Sequence, residues 1–228
     1  MNGNELILAL DQGTTSSRAI LFDRSGNIHT VAQQPIHTTF PEPGWVNQDA
    51  QEIWRTILDC ARAALQSPGI DTASVAAVAI ANQRETTILW DRANGLPVAP
   101  AIVWQSRQSA PIVDAIAARG MTDRFQQATG LVPDAYFSGT KIAWLLDHDP
   151  VLRRRAEAGE IAFGTVETWL LWHLSGGTIH ATDASNAART MLMDLATRAW
   201  APDLLADLGI PDAILPRIVN NAGVLCET

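Results

Sequence analysis

Three groups of residues have the types and spacing to do chemistry. The first is Asp11-Gln12-Gly13-Thr14-Thr15-Ser16-Ser17-Arg18, an unbroken polar stretch between apolar runs at 6–10 and 19–22. Backbone N–H groups and the hydroxyls of Thr14, Thr15 and Ser16 suit phosphate oxygens, and Gly13 is expected to supply a positive φ and close ligand approach. Asp11, at the carboxyl end of the first run, is a hard oxygen ligand where a Mg²⁺ or its waters fit beside phosphates. A hairpin whose turn is merely polar has the same composition, and that alternative stands beside the first. The stretch is no Walker loop or dinucleotide fingerprint: G-x-x-x-x-G-K-[ST] and G-x-G-x-x-G are both absent, and the one lysine, Lys141, is far away.

The second group is Asn82-Gln83-Arg84-Glu85-Thr86, directly after the apolar run 75–81. Ligands in α/β sheets collect at such strand ends. Arg84 offers a donor fork and Glu85 an acceptor pair, suited to neighbouring hydroxyls of a polyol; a surface ion pair between the two is the competing reading. Trp104, at the end of a further apolar run, can lay its indole face against the carbon backbone of such a molecule. The third group, Thr182-Asp183-Ala184-Ser185-Asn186 with Arg189, faces a cleft or is a plain polar loop.

Other chemistries find little support. There is no G-x-S-x-G elbow. Cys60 and Cys226 have neither disulfide-framework nor zinc spacing, which fits a reducing compartment. His29, His37, His148, His173 and His180 lack metal-motif spacing and read as structural. The net charge of −8 argues against nucleic acid or an anionic membrane as partner. No signal-like start and no bilayer-length apolar run occur, so the expected compartment is the cytoplasm.

The elements that must position these groups read as a mixed α/β domain. Runs 6–10 and 19–22, with a third strand at 28–33, form an antiparallel meander. Asp49-x-x-Glu52 has capping-box form and opens a helix carrying Ile53, Trp54, Ile57, Leu58, Ala61 and Leu65, ended by Ser67-Pro68-Gly69. The continuously apolar run 75–81 reads as a strand buried on both faces and joining the sheet in parallel. Runs 87–90 and 101–104 read as two more strands. Beyond 109 the pattern is mostly helical: Pro111 to Gly120, a helix capped by Thr122 and ended by Gly130, a loop at 134–139, helices at 141–147 and from Asp149-Pro150 to about Glu157. A short strand at 161–163 and a helix stopped by Gly176-Gly177 follow.

With these residues assembled, the chain resembles the N-terminal domain of the glycerol kinases, a branch of the FGGY family of carbohydrate kinases. ALDQGTTSSRAILFD, PGWVNQD, IANQRETT, AIVWQSR, YFSGTK, FGTVETWLLW and TDASNAARTML carry the likeness, from about Leu6 to the last residues. It implies the actin-like, ribonuclease-H-like ATPase fold and transfer of phosphate from ATP to a terminal hydroxyl of glycerol. It assigns Asp11 to the Mg²⁺ side of the nucleotide, Thr14, Thr15, Ser16 and Arg18 to its phosphates, and Arg84, Glu85, Tyr136 and Trp104 to glycerol. It also implies a homo-oligomer for the full-length enzyme. The family's catalytic aspartate lies in a GDQ-type segment, expected after Thr228, so the resemblance casts residues 1–228 as the substrate-side domain, with the C-terminal ATPase domain outside them. By itself such a chain is expected to be inactive. A kinase for another polyol or sugar, and a non-catalytic binding protein derived from this domain, are the alternatives.

Overall fold

The computed structural model describes residues 5–227. Its chain forms two compact units: one comprises the described residues up to Thr38 with Gln48–Gln83, the other Thr39–Asn47 with the described residues from Arg84 on. No helix among the described residues is long and apolar enough to cross a membrane.

The first unit is the meander with its helix. Strands β1 (Leu6–Gln12), β2 (Ser16–Asp23) and β3 (Ile28–Pro35) pair antiparallel in sequence. Alternation along β1 and β2 turns Leu6, Leu8, Leu10, Ala19 and Leu21 to one buried face. After the two-residue strand β4 (Asn47–Gln48), helix α1 (Ala50–Leu65) presents Ile53, Ile57, Cys60 and Ala64 to that face. Each such aliphatic side chain contributes about 1.5–3 kcal/mol by leaving water. The Asp49 carboxylate caps α1 by accepting from Gln51 N at 2.8 Å. Glu52 does not close the capping box: its carboxylate accepts from His37 instead, 2.6 Å from Nδ1.

Strand β5 (Val75–Asn82) pairs parallel to β1, completing the order β3-β2-β1-β5. The expectation that it is buried on both faces is wrong: residues 76–79 and 81 are exposed, Val78 at 38%. The reason is placement. β5 is the sheet's edge, and α1 packs across β1, β2 and β3.

In the second unit β6 (Ile88–Asp91) pairs antiparallel with β8 (Ile161–Gly164), in a sheet separate from the meander. The expected strand 101–104 is a two-residue β7 (Ala101–Ile102), with Ile102 bridged to Thr87. Helices α2 (Ala110–Ala118), α3 (Thr122–Thr129), α4 (Ser138–His148), α5 (Pro150–Glu157), α6 (Val166–Leu174), α7 (Ala184–Ala187) and α8 (Pro202–Leu208) follow. Thr122 is the first helical residue of α3 and not its cap, while Gly130 ends that helix in the left-handed region at φ 71°. Segment 134–139 is shorter as a loop than expected, because α4 starts at Ser138. Segment 182–189 is ordered as β9 (Ala181–Asp183) and α7, with the Asp183 carboxylate capping Asn186 N at 2.7 Å. Strands β10 (Met193–Asp194) and β11 (Ala199–Trp200) form a hairpin, and β12 (Arg217–Val219) runs parallel to β9. Leu89, Phe125, Ile142, Leu146, Phe163 and Leu204 belong to one continuous core.

Candidate functional site

In the first unit the β1–β2 register sets Asp11 directly across from Arg18, and their side chains meet at 3.5 Å. The polar turn is narrower than its composition suggests: Asp11 and Gln12 finish β1, Ser16 to Arg18 begin β2, and Gly13, Thr14 and Thr15 alone connect them. Gly13 does not take a positive φ, and its N–H is bound to Ser16 O at 3.0 Å. A Cβ there would lie 3.2 Å from that same oxygen, so glycine serves a tight closure. Gln48 holds the turn from below, donating Nε2 to Thr14 O at 2.7 Å, and Gln33 Nε2 donates to Ser16 Oγ at 2.9 Å. The Thr15 side chain is exposed.

The donor set can be tested against Mg²⁺. No group of three or more His, Cys, Asp or Glu side chains among the described residues could hold a metal. A Mg²⁺ that arrives on phosphates keeps most of its water and asks for only one or two carboxylates, and Asp11, 43% exposed at a strand end, fits that role.

The second unit holds the better-defined constellation. Glu85 is 2% exposed and sits at φ 65°, a left-handed conformation that costs a non-glycine residue of order 1 kcal/mol. Three donors fix its carbonyl: Ser138 Oγ at 3.2 Å, Lys141 Nζ at 3.3 Å and Thr87 Oγ1 at 3.3 Å. Its carboxylate faces Arg189, whose Nε donates to Oε1 at 2.7 Å. The surface ion pair between Arg84 and Glu85 is therefore not formed; Arg84 is exposed and makes no ion pair among the described residues.

The Arg189 guanidinium lies over the rings of Phe137 at 5.0 Å and Tyr136 at 5.7 Å. Tyr136 in turn packs on Trp104, ring centroids 5.4 Å apart. Gly139 makes this approach possible. Its N–H donates to Thr190 O at 2.7 Å, and a Cβ there would lie 2.9 Å from that oxygen, so only glycine lets the start of α4 dock beside Arg189. Glu85, Tyr136 and Trp104 are thus brought together, with Arg84 next in sequence to Glu85.

Arg189, Phe137 and Lys141 were not among the residues the motifs singled out for the acceptor. Arg189 carried a weak signal, as one of the polar residues of the third group. Lys141 carried another: the chain's one lysine follows YFSGT, and it is completely buried. Burial pulls its pKa down to about 7, against the opposing pull of Glu85 and Asp134.

Glu167 is a buried carboxylate of a different kind. Burial raises its pKa, but Thr165, Thr168 and Thr182 hydroxyls and Asp183 N all donate to it, so it staples α6 to β9.

Known proteins resemble the chain along its whole length. Residues 6–228 match the model of the FGGY family of carbohydrate kinases, N-terminal domain. The chain belongs to the FGGY family. It is 55% identical to a glycerol kinase of Bordetella parapertussis over 228 residues, all of this chain and 45% of that protein. It is 56% identical to one from Dechloromonas aromatica over 220 residues, 96% of this chain and 44% of that protein. The chain thus spans a little under half the length of these relatives. Among solved structures, Plasmodium falciparum glycerol kinase with ADP superposes with a TM-score of 0.88 at 31% identity, covering 94% of this chain and 43% of that one. A gluconate kinase from Lactobacillus acidophilus, 22% identical with a TM-score of 0.85, shares the fold. That fold is the actin-like ATPase fold of the family's sugar kinases.

Proposed function

We propose that this chain is the N-terminal domain of a glycerol kinase, which transfers the γ-phosphoryl group of ATP to a terminal hydroxyl of glycerol. The observation that carries the reading is Glu85: a carboxylate buried at a strained φ, its carbonyl held by three donors and its charge met by Arg189, beside the Tyr136–Trp104 pair. Strain of this sort persists where the surroundings over-determine it, which is the pattern of a binding site.

In this reading Glu85 accepts hydrogen bonds from two glycerol hydroxyls, and Arg84, exposed and making no ion pair among the described residues, donates to an adjacent oxygen. Trp104 and Tyr136 take the carbon skeleton, and their apolar faces exclude water from one side of it. In the first unit Asp11 would hold Mg²⁺ through an oxygen or a bridging water, while Thr14, Thr15, Ser16 and Arg18 donate to phosphate oxygens. The cation supplies charge neutralisation during transfer, and the residues supply positioning. Glycerol and ATP are its substrates and the cytoplasm its compartment.

Isothermal calorimetry with glycerol tests the acceptor site. The parent chain is expected to give a binding heat that Arg84→Ala abolishes; equal heats from the two proteins would overturn the assignment.

A further inference from the structure

Of the 16 basic residues in the chain, 15 are arginine and one is Lys141. That lysine is fully buried on α4, and it is the residue that joins two separate parts of the candidate site. Its Nζ donates to the carbonyl of Tyr136 and to the carbonyl of Glu85, the latter at 3.3 Å. Two carbonyls converging on one point suit a compact ammonium; the flat, wide guanidinium used everywhere else in this chain does not fit such a spot.

A buried ammonium is costly, and an apolar side chain of similar length fills the same volume without that cost. The charged groups around it divide. Glu85 and Asp134 favour the protonated form, whereas Arg107 opposes it while pairing with Asp134 at 2.6 Å. Arg189 already engages the Glu85 carboxylate. Lys141 therefore does not serve to neutralise Glu85; what it holds is backbone.

We propose that Lys141 is a positioning residue of the acceptor site, its ammonium tying the carbonyls of Glu85 and Tyr136 so that the Glu85 carboxylate and the Tyr136 ring keep the arrangement that receives a polyol. The inference rests on the acceptor reading given above. Burial lowers the pKa of this ammonium to about 7, so the tie between the two carbonyls is charge-assisted below that value and weaker above it.

The chain's composition makes the test specific, since it has a single tyrosine and a single lysine. Protein carrying ring-¹³C tyrosine and ε-¹³C lysine gives one side-chain signal for Tyr136 and one for Lys141. The Lys141 signal is expected to titrate with a midpoint near 7, and the Tyr136 ring signal to shift with it at that shared midpoint because the Lys141 tie holds the Tyr136 carbonyl. In Lys141→Met the Tyr136 signal is expected to be displaced and independent of pH over that range, and the glycerol dissociation constant at pH 6 to rise roughly tenfold. A Tyr136 signal identical in parent and variant, or one that ignores the Lys141 titration, overturns the proposal. If Lys141→Met does not fold, the parent titration alone decides. A parent that shows the shared midpoint yet binds no glycerol refutes the acceptor reading and leaves the positioning of Tyr136 by Lys141 supported.

Discussion

Removing Arg189 should cost more than removing the charge it meets. Glu85 is 2% exposed, and its carboxylate accepts from Arg189 Nε at 2.7 Å, whereas the Arg189 side chain keeps 30% of its surface in water. Breaking a buried pair from one side typically costs 3–5 kcal/mol, and partial exposure of the arginine lowers that to about 2–3 kcal/mol for Arg189→Met, which retains an unbranched apolar side chain at the position. Glu85→Gln leaves a guanidinium that water can reach, so it should cost about 1 kcal/mol. The double variant contains no stranded carboxylate and should cost about 1–2 kcal/mol, giving a coupling near 2 kcal/mol. Urea denaturation of the four proteins, followed by tryptophan fluorescence, supplies the cycle. Additive costs, or a Glu85→Gln loss larger than that of Arg189→Met, would refute the claim that a buried, arginine-held Glu85 organises this site.

Other consequences follow from individual contacts. His180 is half-buried against Trp90 and Trp172 and bound through Nε2 to Phe163 O at 2.8 Å; desolvation lowers its pKa to about 4 from 6.5. The unfolded chain therefore takes up a proton that the folded one refuses, so stability declines as pH falls from about 6.5 to 4, by at most about 3 kcal/mol, and His180→Gln should flatten that decline in denaturant midpoints. Lys141 acts in another window: the unfolded lysine keeps its proton to 10.5 and the folded one only to about 7, so stability should rise between these values in the parent and not in Lys141→Met. Gly164→Ala should cost about 2–3 kcal/mol in thermal unfolding, because the added methyl falls 2.6 Å from Thr168 Cβ and 2.9 Å from Trp90 Cη2.

The meander and most helices were legible in the sequence because their signals are local. Apolar alternation, Asp49 and Asp149 as caps, and Gly130 as a helix stop each act within a few residues. The burial of β5 was not legible, since whether an apolar strand is covered depends on where α1 lies across the sheet. Site residues divide the same way. Arg84 and Glu85 stand out as a polar break after a strand, Trp104 as an indole at the end of an apolar run, and Tyr136 follows from family resemblance. The role of Arg189 is carried by a contact 104 positions along the chain from Glu85, which spacing alone does not reveal. Lys141 looks like an ordinary surface lysine until the docking of its helix buries it. Gly13 misled for a comparable reason: glycine in a turn suggests a positive φ, but here it accommodates the Ser16 carbonyl.

The central claim is that glycerol lies against Glu85, Tyr136 and Trp104. Saturation transfer from the ring protons of the chain's one tyrosine to glycerol measures this directly, because no other residue can supply the tyrosine signal. The account predicts transfer to the glycerol CH and CH₂ protons in the parent chain at pH 6, lost in Arg84→Ala. Calorimetric binding of glycerol without any transfer from Tyr136 would contradict it.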